Sequence, residues 1–177
     1  MAKKKQLNVI GLVFACLALV GLILAIVGMV TPIISWEFLG KSYSLGLFAD
    51  GWANFEDNAA LAERLNITVP SRAFTIIAFI VTLIGAVVVV ADAVLKLLGK
   101  DVKFIGLCGG ALAIVGGILV LVAGLVLAGQ CNSFGEVMGM GKDIDIYGAA
   151  VGIWLGFIGG LVAGASGILS ALKIGQK

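Results

Sequence analysis

Apolar residues dominate this chain in four long blocks. Leu7–Val30, Ala73–Ala91, Phe104–Ala128 and Ile146–Leu172 contain no charged side chain. Each exceeds the roughly 18 residues that mark a spanning-helix candidate. Thr31-Pro32 ends the first block, because a residue before proline avoids the α region. Gly99 closes the second and leaves a connection of only a few residues to the third. The expected helices are therefore about 7–31, 72–98, 103–129 and 147–173, with outer loops about 32–71 and 130–146. This predicts one domain over residues 1–177: an all-α membrane protein, with a four-helix transmembrane bundle and a small extracellular β-sheet from the two outer loops.

The sheet is read from the polar stretches. Between the first two blocks lies the one long segment that water accepts, Pro32–Ser71. Ile34, Trp36 and Phe38 alternate with Ser35 and Glu37, and Tyr43, Leu45 and Leu47 alternate with Ser42, Ser44 and Gly46. The two runs flank Leu39-Gly40-Lys41, which gives a hairpin. Asp50-Gly51 is a second turn. Glu56-Asp57-Asn58 precedes AALAERL, a short helix with acidic residues and a cap candidate at its start. In the second outer loop, Lys142–Tyr147 (KDIDIY) alternates and is expected to add a strand to the same sheet. One face of that sheet is apolar and needs a cover.

Composition sharpens the class. Of 177 residues, 61% are hydrophobic and 12% charged, against about 25% charged in a soluble domain. The net charge of +2 forms no basic patch away from membrane-flanking positions, so no nucleic-acid partner is expected. Histidine is absent, and the three cysteines have no metal-ligand spacing, so no metal and no cofactor is expected. Nor is there a nucleophile–base constellation, a phosphate loop or a paired-carboxylate site, so the reading is non-enzymatic.

Lysine and arginine set the orientation. Lys3, Lys4, Lys5, Lys96, Lys100, Lys103, Lys173 and Lys177 fall on one side, and Lys41, Arg64, Arg72 and Lys142 on the other. That bias places both termini in the cytoplasm of a multi-pass plasma-membrane protein. MAKKK and the run behind it read as a retained signal anchor, since the run is about twice a typical signal-peptide core. The outer side also gathers acidic residues, Asp50, Glu56 and Asp57 among them. Asp92, near the inner end of the second span, is expected to pair with Lys96 one turn on. Cys16 and Cys108 read as small apolar fillers, and Cys131 as a lone outer thiol. Asn66-Ile67-Thr68 has the pattern of a glycosylation acceptor.

Helix association in lipid depends on close approach of small residues. Gly148, Gly152, Gly156, Gly160 and Gly164 recur at every fourth position, which predicts a packing groove along the fourth span.

Four spans, inner termini, a long first outer loop with strands and a shorter second one resemble the claudin superfamily, which includes the claudins, the peripheral myelin protein tetraspans and the channel-auxiliary gamma subunits. The family's first loop carries a Trp, then Gly-Leu-Trp, then two Cys. Trp36 resembles the first element, Gly46-Leu47-Phe48 the second with Phe for Trp, and Arg72 in SRAF the family's Arg at the start of its second helix. The glycine-rich third and fourth blocks are similar in texture. No Cys lies between Cys16 and Cys108, so the family's loop disulfide has no counterpart. The final KIGQK lacks the scaffold-binding motif of claudin tails. The resemblance implies that Trp36, Gly46, Leu47, Phe48 and Arg72 anchor the outer segment. Tyr43, Trp52 and Phe55 are then the expected partner contacts. The function implied is an interaction or auxiliary subunit, acting on a membrane-protein partner in the same or the opposing membrane or on another copy, with membrane lipid around it. The alternative is a channel or paracellular-type barrier former with an acidic, cation-preferring outer surface.

Overall fold

Uncharged runs of this length form helices because lipid leaves no other partner for backbone N–H and C=O groups. The computed structural model describes residues 9–38, 41–53, 57, 59–64, 68–100, 103–137 and 144–172. Helix α1 (Val9–Val30) leads into strands β1 (Pro32–Phe38) and β2 (Lys41–Gly46). A 3-10 turn at Asp50–Trp52 and a short helix α2 (Ala59–Arg64) follow. Then come α3 (Ala73–Leu97), α4 (Lys103–Val137), strand β3 (Ile144–Ala149) and α5 (Val151–Ala171). Four of these helices, α1, α3, α4 and α5, are long and apolar enough to cross a membrane. The chain is thus a multi-pass membrane protein by length and composition. Around the bundle, α1 packs on α5, α5 on α4, α4 on α3, and α3 back on α1.

Two boundaries differ from the sequence expectation. Helix α4 runs to Val137, eight residues past the expected end. Its 35 residues rise about 52 Å at 1.5 Å each, well beyond the ~30 Å hydrocarbon core. Its last turns pack beside β3 and carry Cys131 into the core that holds Ile33, Ile34 and Leu45; Phe134 is buried as well. Helix α5 starts only at Val151, because residues 144–149 are extended. Gly148 accordingly lies on β3 and is not part of the helical glycine row.

The sheet is three-stranded in the order β2-β1-β3. Antiparallel pairing sets Ile34 opposite Leu45, Ser35 opposite Ser44 and Trp36 opposite Tyr43. On the other side, Ser35 faces Gly148 and Phe38 faces Ile144, so both outer loops share one sheet. A register shift between Pro32 and Ile34 inserts Ile33 as an extra residue. Such a bulge breaks the two-residue alternation, and Ile33 and Ile34 are consequently both buried. Burial thus grades along the hairpin rather than dividing cleanly by face. Its base (Ile33, Ile34, Leu45) is inside, while Glu37 and Lys41–Ser44 at its far end are exposed.

The base of the sheet and the bundle share one core. Ile33, Ile34, Leu47 and Trp52 join Phe79 of α3, Val120 and Leu127 of α4, and Ile153 of α5 in a single cluster. Deeper in the bundle, alanines and glycines bring helices together. A Cβ built on Gly159 would lie 2.7 Å from Ala25 N and Gly21 O of α1, and one on Gly160 2.6 Å from Ala113 O of α4.

At the opposite end of the bundle from the sheet, Asp92 is 1% exposed and lies 2.7 Å from Lys96 Nζ. Lys96 Nζ also donates to Ser170 Oγ at 3.0 Å, tying α3 to α5. The carboxylate sits against Gly106 of α4, where a Cβ would occupy its space. Asp92 Oδ1 has no hydrogen-bond partner among the described residues.

Candidate interaction surface on the sheet side

Of the expected anchor, contact and packing residues, Phe55 lies outside the described residues, as do Asn66, Glu56, Asn58, Lys142 and the terminal lysines. Trp52 is where the largest correction falls. The sequence places it among the partner contacts, yet it is 3% exposed and part of the shared core. Its indole Nε1 donates to Gly46 O at 2.8 Å, so the ring enters the core without stranding its donor. The Arg72 guanidinium carbon lies 5.7 Å from the centre of the Trp52 ring, within cation–π range.

Arg72 also donates from Nη1 to Leu47 O at 2.8 Å, and Leu47 itself is buried. Leu47, Trp52 and Arg72 therefore form one knot between the end of the hairpin and the start of α3. Gly46 belongs to it through its carbonyl alone. A Cβ added there meets nothing within 4 Å.

Phe48 is the second correction. It was expected among the anchoring residues, but it is 61% exposed. Leu47 and Phe48 form a turn, which buries one side chain and turns the next outward.

Trp36 is partly buried and packed against the shared core, and its ring stacks on Tyr43 with centroids 5.8 Å apart and planes 17° from parallel. Tyr43 is 43% exposed. Tyr43 is therefore the exposed ring of the stack and Trp36 its inner, core-side ring. Beside it Ser42 Oγ donates to Glu37 Oε1 at 3.2 Å, and β2 has β1 as its one neighbour in the sheet order.

Cys131 is also not where a lone outer thiol was expected. It is 1% exposed within the shared core, whereas Cys16 and Cys108 are exposed on the sides of α1 and α4. The helical glycines divide between neighbours. Gly152 abuts Gly28 O of α1, Gly156 meets the Phe79 ring and Val120, and Gly160 and Gly164 lie on α4. Among the described residues, no group of three or more His, Cys, Asp or Glu is placed to hold a metal ion.

No family model, no curated protein and no solved structure matches this chain.

Proposed function

We propose that this chain is a non-enzymatic, claudin-like tetraspan that acts through its sheet as an interaction or auxiliary subunit in the cell membrane. The observation that carries the reading is the Trp36–Tyr43 stack, in which Trp36 packs against the core and holds an exposed Tyr43 in place. A pair of aromatic rings on a short, well-anchored hairpin offers a partner a large contact area already ordered before binding. The neighbouring β2 edge offers backbone groups for strand addition. Among the residues first considered for contact, Tyr43 keeps that role, and Trp36 joins it in place of the buried Trp52. The claudin-like part of the proposal draws support from the sheet shared by two loops and from the Leu47–Arg72 link.

The test is purification from native membranes, with and without the double change Trp36→Ala/Tyr43→Ala. A stoichiometric partner, or a second copy, is expected to co-purify with the wild type and to be lost from the variant. Because Trp36 also packs against the core, the double variant should melt lower, so association is compared well below its melting temperature and also in Tyr43→Ala alone, which leaves the core intact. Undiminished association in the double variant refutes the assignment. Cation flux through vesicles holding the pure protein alone would favour the channel alternative.

A further inference from the structure

Phe48 is a large apolar side chain turned out of the protein, and its height along the bundle is fixed. The carbonyl of Leu47, its immediate neighbour, accepts the Arg72 guanidinium at 2.8 Å. Arg72 is the residue immediately before α3, which begins at Ala73. Phe48 is therefore tied to the level of the first turn of a spanning helix.

That level is the membrane boundary. The 25 residues of α3 rise about 38 Å, against a hydrocarbon core of ~30 Å. Its ends thus extend a few ångströms into the interface on each side. Inward from that level, α3 exposes Phe74, Ile77, Ile84 and Val87. A spanning helix of this bundle meets acyl chains on such side chains. Phe48, 61% exposed, stands at the outer end of this span, at the depth where aromatic side chains collect in membrane proteins.

We infer that Phe48 docks the base of the sheet onto the lipid surface, its ring entering the boundary between headgroups and acyl chains of the sheet-side leaflet. The occupant is a phospholipid surface and not a protein. Phe48 then fixes the height at which the Trp36–Tyr43 stack stands above the membrane, whatever that stack binds.

The experiment is spin-label accessibility in phosphatidylcholine vesicles. Phe48→Cys, Tyr43→Cys and Ile77→Cys are made separately in a Cys16→Ala/Cys108→Ala background that keeps the buried Cys131. Each carries a nitroxide. Collision rates are measured with oxygen, which concentrates in lipid, and with a water-soluble nickel chelate. The label at position 48 is expected to show an oxygen-to-nickel ratio several-fold above that at 43 and to approach that at 77. A ratio like that at 43 places Phe48 in water and overturns the inference. Low collision with both reagents, together with an immobilised spectrum, means protein covers the site and overturns it equally. Neither outcome bears on the partner reading, which rests on Trp36 and Tyr43.

Discussion

Trp52 brings a bulky ring and one N–H donor into the same buried place. Leaving that donor unpaired in a core costs about 1–3 kcal/mol, and Gly46 O removes the cost by accepting it at 2.8 Å. Trp52→Ala should therefore lower stability by about 3–5 kcal/mol, the usual range for truncating a buried aromatic. Trp52→Phe keeps most of the area and should lose about 1 kcal/mol with the hydrogen bond. Gly46→Ala should be nearly silent, because the carbonyl remains and a Cβ meets nothing. Thermal unfolding in detergent ranks the three, and a Gly46→Ala variant as unstable as Trp52→Ala would contradict the carbonyl's role. This residue shows where sequence reasoning stops. Alternation marks strands, but a donor and acceptor six residues apart across an irregular turn leave no periodic trace. Cys131 was hidden for a related reason. Its burial depends on α4 continuing past its expected end to Val137, and Gln130-Cys131-Asn132 reads locally as a loop.

At the scale of elements, the hydrophobic runs were legible because lipid makes each run nearly a helix by itself. The hairpin and its third strand were legible from alternation. What the spacing of glycines concealed was rotation. Four residues turn a helix through about 400°, so a row at every fourth position drifts about 40° per step. From Gly152 to Gly164 that drift totals about 120°, and the row passes from α1 to α4. The face kept against α1 is instead shared with Gly159, whose Cβ would strike the Gly21 and Ala25 backbone. Gly159→Leu should destabilise the bundle by about 1–3 kcal/mol, the range for overpacking. The control is Gly148→Leu on β3, where a Cβ meets nothing within 4 Å. Equal melting temperatures for the two variants would mean that α1 and α5 do not depend on this contact.

For the whole molecule, the lysine distribution remains the argument for orientation, and the structure changes how it is tested. The native cysteines are poor reporters: Cys131 is buried, and Cys16 and Cys108 lie within spans. Ser42 is exposed on β2 at the far end of the hairpin. If the termini are cytoplasmic, Ser42→Cys in the Cys16→Ala/Cys108→Ala background should react with a membrane-impermeant maleimide on intact cells, while the background itself stays unlabelled. Labelling of Ser42→Cys only after permeabilisation would invert the topology.

The strand order also bears on the birth of the protein. Strand β1 lies between β2 and β3, but roughly 100 residues separate Phe38 from Ile144. At ~5–20 residues per second, the ribosome delivers β3 on the order of 5–20 s after β1 has emerged. Throughout that interval the hairpin presents two open edges instead of one, and an open edge is a template for mispairing. The sheet is thus closed last, by a strand made only after three of the four spans, and a chain cut before Ile144 keeps both hairpin edges open.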